Sequence, residues 1–197
     1  MKKIIYIVAV IVLFCSCKKD EEENALFDTS ILYGEWYSNV NGVVTDLNLN
    51  SLTLFGSIFN TVESELKLYE KWSGSWLYYS ENKILCLSIV HSSTSNETTH
   101  YYQIVNVDDY SLILKDQEFG NIEKYEKVVE SQNLKVGEIG KISYISEQSL
   151  TSESYNSSNS LIASCDSSGK IEAKKKGIAF ISIITNKGTL IVKVEVN

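Results

Sequence analysis

The sequence predicts an all-β protein, and three observations predict it. Ile, Val, Leu, Thr, Tyr and Ser are abundant while helix-forming Ala is scarce, the composition of pleated, half-buried strands. Apolar and polar residues alternate in many short runs, the period-two pattern of a sheet with one buried face. Turn-forming pairs such as Asn41-Gly42 fall between those runs. With 44% hydrophobic and 22% charged residues, the chain has the balance of a folded protein rather than a disordered one.

Residues 1–16 read as an export signal. Lys2 and Lys3 give a positive start, residues 4–14 form an apolar run, and small or thiol-bearing residues follow. That run is shorter than the roughly 20 residues a spanning helix needs. Phe14-Cys15-Ser16-Cys17 resembles a bacterial lipobox, which implies cleavage before Cys17, acylation of its sulfur and a lipoprotein anchored by two or three acyl chains. Cys15 is the competing site, but the Phe14 before it is too bulky for the small position, which Ser16 suits. Residues 17–30 then carry the lipidated Cys and a solvated tether rich in charge, with Lys18, Lys19, Asp20, Glu21, Glu22 and Glu23 in sequence. A Cys followed by Lys and an acidic cluster resembles the surface-export signal of lipoproteins from diderm bacteria. The resemblance implies an outer-membrane protein exposed outward, with the periplasmic face as the alternative.

Residues 31–130 are expected to form a small barrel. Strand-like runs fall at 35–40, 52–59, 63–71, 75–79, 83–90, 98–107, 111–115 and 122–129, a count that suits a barrel or sandwich. Leu85, Leu87 and Ile89, then Leu112 and Leu114, mark single faces. Glu81-Asn82 and Asp108-Asp109 join Asn41-Gly42 as turns. Gly34-Glu35-Trp36 resembles the Gly-x-Trp opening of lipocalin-like barrels, where the Trp plugs the base. Gly74-Ser75-Trp76, Tyr102-Gln103-Ile104 and Ser111-Leu112-Ile113-Leu114 resemble later strands of small lipocalin-like domains. An eight-stranded barrel is either filled by its side chains or holds one small ligand. The aromatic residues Trp72, Trp76, Tyr78 and Tyr101, with Tyr79 and Tyr102 beside them, could line a pocket mouth, or they could pack as core and hairpin faces.

Residues 132–197 are expected to form a sandwich. Leu134-Lys135-Val136-Gly137-Glu138, Tyr155 through Ser158 to Asn159, Leu161-Ile162-Ala163, Gly169-Lys170-Ile171-Glu172-Ala173 and Gly177-Ile178-Ala179 resemble a group 2 bacterial Ig-like domain, the kind found in intimin-like and invasin-like adhesins. The residues point the same way on their own. Gly169 and Gly177 suit turns with positive φ, and Ile171, Ala173, Ala179, Ile181 and Ile183 alternate as an inner face. Ile191, Val192, Val194 and Val196 give a last strand. Tyr155 stands where such domains often carry Trp.

Composition also limits function. The net charge is −7, all 18 basic residues are Lys, and removal of residues 1–16 leaves 16 Lys against 25 acids, a net charge of −9. Nucleic acid is not an expected partner, because duplex binding draws on cations that neutralise phosphates. His91 and His100 flank a polar loop and with Glu97 could hold a metal; the simpler expectation is solvated loop-end His and no cofactor. The acids at Asp108, Asp109, Asp116 and Glu118 sit in turns, and no Ser, His and acid set or phosphate loop stands out, so no enzyme is expected. Cys86 and Cys165 are expected as buried free thiols rather than a disulfide. The basic run Lys170, Lys174, Lys175, Lys176 reads as a solvated turn or a contact for anionic glycans. The expectation is a non-enzymatic, lipid-anchored surface protein of interaction or adhesion type, with a host or matrix glycan or protein as partner; a small-ligand carrier and a structural envelope component are the alternatives.

Overall fold

The computed structural model describes residues 27–50, 53–62 and 65–197, and it is all-β apart from two single helical turns. Cys17, the expected lipidation site, and the acids at 20–23 of the expected tether lie outside the described residues.

Eight strands close into a barrel: β1 (Gly34–Val40), β2 (Val43–Leu49), β3 (Leu54–Val62), β4 (Glu65–Tyr79), β5 (Ile84–His91), β6 (Glu97–Val107), β7 (Ser111–Asp116) and β8 (Ile122–Leu134). Each pairs antiparallel with the next, and β1 pairs with β8 to remove the sheet edges. The strands alternate as the sequence predicts, so Trp36, Leu47, Leu49, Leu54, Trp72, Trp76, Leu85, Leu87, Ile89, Ile104, Leu112, Leu114 and Tyr125 meet in one interior cluster. All eight strands contribute to it. A 3-10 turn, Thr29–Leu32, caps one end by inserting Leu32, and the Trp36 indole N–H donates to the Leu32 carbonyl at 2.8 Å. Lys127 covers the other side of the Trp36 ring, 4.1 Å from its centroid.

Two strand assignments differ from the sequence reading. The described part of the run 63–71 and the run 75–79 are one strand, β4, and the segment 43–49 forms β2, where no strand is expected. Gly74 looks like a break but lies where β4 presses against β5: a Cβ there would sit 1.8 Å from the Ser88 carbonyl oxygen. In β2 the outward positions are Asp46 and Asn48, which blunt the apolar signal of Val44, Leu47 and Leu49. The three expected turns are present, with Asn41 and Gly42 both at positive φ.

β8 runs without interruption through residues 130–132, the expected domain boundary. From Val128 onward it pairs in parallel with β14 (Thr189–Val196), which continues to β13 (Gly177–Thr185) and β10 (Ser152–Ser157). A second, three-stranded sheet joins β11 (Ala163–Cys165), β12 (Lys170–Ala173) and β9 (Ile139–Lys141). The segment before β10 holds a helical turn, α1 (Tyr144–Glu147). Ile142, Ile162, Ile171 and Ala173 pack with Ala179, Ile181, Ile183, Val192, Val194 and Val196 in a second core between the two sheets. Gly169 and Gly177 have φ of +77° and +145°, as expected of them.

The opposite face of β13 and β14 lies on the outside of the barrel. Phe180 and Ile191 pack with Tyr37, Val44, Phe59 and Val128 in a third core, with the Phe180 and Tyr37 rings 4.6 Å apart. Ile191 therefore faces away from Val192 and Val194 and belongs to this seam.

Candidate functional site

A set of polar and charged side chains lines the outer wall of the barrel beside the seam. Outward side chains of β1 to β5 fall into two cross-strand rows. Glu35, Asn48, Phe55, Ser73 and Val90 are successive partners in one row. Tyr37, Asp46, Ser57 and Lys71 are successive partners in the next. Neighbours in such rows are about 5 Å apart, so the rows form a continuous surface. A groove of about 510 Å³ runs over them, closed at one end by Lys193 of β14 and at the other by His91, Ser92 and Ser95.

Lys193 crosses from the second unit into the barrel wall. Its ammonium lies 2.5 Å from Glu35 Oε1 and 2.5 Å from Asp46 Oδ2. Burial, and then the neighbouring Glu35 carboxylate, push Asp46 up to about 7 against the pull of Lys193. Burial lowers the Lys193 pKa, but Asp46 and Glu35 outweigh it and hold the ammonium above its ordinary value. Asp46 is 6% exposed, and its other oxygen, Oδ1, has no hydrogen-bond partner; the buried Asn48 Oδ1 has none either.

At the far end a hydrogen-bond chain passes into the barrel rim. His91 Nδ1 lies 3.0 Å from Glu70 Oε1, and His91 Nε2 lies 3.0 Å from Thr98 Oγ1. His100 Nε2 meets the same hydroxyl at 3.1 Å. A carboxylate, imidazole and hydroxyl in line is the order that activates a nucleophile. Its neighbouring backbone N–H groups are spent, however: His91 N donates to Asn96, Ser92 N to Lys71 and Ser95 N to His91. These donors are not free to hold an oxyanion. Glu97 takes no part, accepting instead from the Ser88 hydroxyl at 2.5 Å, and among the described residues no three His, Cys, Asp or Glu gather as metal ligands. His91 and His100 meet through a shared hydroxyl, and their partners Glu70 and Thr98 are not among the residues the sequence singles out. Their alternation with Trp72 and His100 on interior-facing positions was the available signal.

The aromatic residues singled out from the sequence divide between core and surface. Trp76 is buried in the barrel and donates to the Asn50 carbonyl at 2.6 Å. Trp72 is also interior, its ring set against Gly56. Tyr78 and Tyr101 do come together, with Tyr79 and the turn of Glu81 and Asn82, around a second cavity of about 530 Å³ at the end of the β4–β5 hairpin. Phe27 packs against the Tyr78 ring, tilted by 38° with centroids 4.6 Å apart.

In the second unit the motif residues hold turns. The Ser158 N–H donates to the Phe180 carbonyl at 2.8 Å, and the Ser158 hydroxyl accepts from the Phe180 N–H at 2.9 Å. Asn159 is buried and accepts from the Leu161 N–H at 3.0 Å. Tyr155 packs against the core and donates to Ser152 at 2.9 Å. Asp108 and Asp116 likewise accept backbone N–H groups of their own turns, from Tyr110 and Ser111 and from Glu118 and Phe119. Cys86 and Cys165 are free thiols; Cys86 is buried, whereas Cys165 is half-buried rather than fully enclosed. No family model, curated protein or solved structure matches the chain.

Proposed function

We propose that this chain is a non-enzymatic, lipid-anchored protein of the bacterial outer surface that works as an interaction module. In this reading a lipocalin-like barrel and a group 2 Ig-like sandwich are carried on an acylated Cys17. The observation that carries it is the filled barrel: all eight strands place side chains in one interior cluster, headed by Trp36, Trp72 and Trp76. A barrel packed in this way binds with its outside, which favours a contact surface over a carrier of the lipocalin kind. The groove on the outer wall is the surface best equipped for contact, because it combines an exposed aromatic ring with charged and amide groups. The acidic tether and the lipobox-like Phe14-Cys15-Ser16-Cys17 support anchoring without spanning. Metabolic labelling with an alkyne fatty acid tests the anchor: the wild-type chain takes up label and partitions into detergent, while Cys17→Ala does neither. Equal labelling of both would reject acylation at Cys17.

A further inference from the structure

We propose that the outer-wall groove is a binding site for a neutral saccharide; this rests on the reading of the chain as an interaction module. The first support is a pair of unmet acceptors. Asp46 Oδ1 and Asn48 Oδ1 are buried along the groove without a hydrogen-bond donor. A buried acceptor left unmade costs about 1–3 kcal/mol, and folded proteins keep few of them. Both sit on β2, two residues apart on the same outward face, so both call for donors from the same direction.

The second support is the shape and charge of the surface above them. Phe55 is the cross-strand partner of Asn48 and is 51% exposed, a flat apolar face for the C–H side of a sugar ring. Ser57, Ser73 and Ser92 add hydroxyls that both donate and accept. Above about pH 7, where Asp46 is ionised, Glu35 and Asp46 balance Lys71 and Lys193, so the groove then has no net charge with which to select an anion or a cation. Of the two ammoniums, Lys193 is already engaged with both carboxylates, while Lys71 has no ion pair among the described residues. A ring hydroxyl seated beside Phe55 donates to Asn48 and accepts from Lys71. A fully charged ligand would gain little from so balanced a site.

Affinity electrophoresis of the detergent-solubilised full chain tests this, with dextran, mannan or xylan cast in the native gel and dextran sulfate as the anionic probe. At least one neutral polysaccharide retards the wild type. Phe55→Ala and Lys71→Ala each weaken that retardation about tenfold, and Leu77→Ala, an exposed change outside the groove, leaves it intact. Both variants replace exposed side chains, and an unchanged thermal midpoint verifies their fold. The proposal is overturned by retardation in dextran sulfate alone, by retardation indifferent to Phe55 and Lys71, or by no retardation in any neutral gel. Loss of binding in these gels with fatty-acid labelling at Cys17 intact removes the saccharide and leaves the anchored module standing; binding without labelling does the reverse.

Discussion

Lys193, near the end of the chain, places its ammonium 2.5 Å from Asp46 Oδ2 on the second strand of the barrel, with Glu35 Oε1 at the same distance. The two β units are therefore joined by a partly buried ionic clamp as well as by the apolar seam. Removing Lys193 leaves two carboxylates facing each other without a cation. Lys193→Ala is expected to cost about 3 kcal/mol in urea unfolding, well beyond the effect of an exposed lysine such as Lys187. A cost below about 1 kcal/mol would mean that the clamp contributes little.

The same clamp gives stability a pH dependence with a defined sign. Asp46 is pushed up to about 7 in the fold, whereas an aspartate in the unfolded chain titrates near 3.8. Between those values the folded chain holds a proton that the unfolded chain has released, so stability falls as pH rises through the window and levels off above it. The wild type should lose stability of order 2 kcal/mol between about pH 5 and pH 8 relative to Asp46→Asn, which has no carboxyl to titrate. Parallel pH profiles for the two proteins in thermal melts would contradict the assignment.

Phe180 is the apolar centre of the seam, 1% exposed and packed against the tilted ring of Tyr37. Phe180→Ala is expected to destabilise by about 3–4 kcal/mol, the range for deleting a buried aromatic side chain. Because β8 runs from the barrel into the second unit and the seam is buried, the wild type should unfold in one urea transition. Separate transitions in the wild type would show that the units fold independently.

Gly74 admits no side chain. A Cβ would meet the backbone oxygen of Ser88, and backbone cannot swing aside as a side-chain tip can. Gly74→Ala should prevent a stable barrel and leave no cooperative melt, whereas Gly120→Ala, where a Cβ meets nothing, should cost only the strain of its positive φ.

Much of the architecture was legible in the chain. Leu85, Leu87 and Ile89, or Ala179, Ile181 and Ile183, alternate so regularly that their buried faces follow from spacing alone, and Asn41-Gly42 marks its hairpin without ambiguity. β2 was hidden because a strand that donates Asp46 and Asn48 to a groove does not look like a strand by hydrophobicity. Gly74 misled for a related reason, since close strand packing and a turn both ask for glycine. The groove itself was not legible. Its residues are 35, 46, 48, 55, 71 and 193 in sequence, and only the barrel register and the return of β14 to β8 bring them together. The aromatic stripe of Trp72 and Trp76 was legible as apolar, but spacing gave no sign that it would fill the barrel rather than line a mouth.

Protease accessibility on intact cells, read with an antibody against the C-terminal unit and with Cys17→Ala as control, tests the central claim most directly. An anchored surface module predicts loss of the C-terminal epitope without lysis in the wild type, and no cell-associated surface epitope in Cys17→Ala. Full protection of the wild-type epitope until the outer membrane is broken would place the protein inside the envelope and contradict the account.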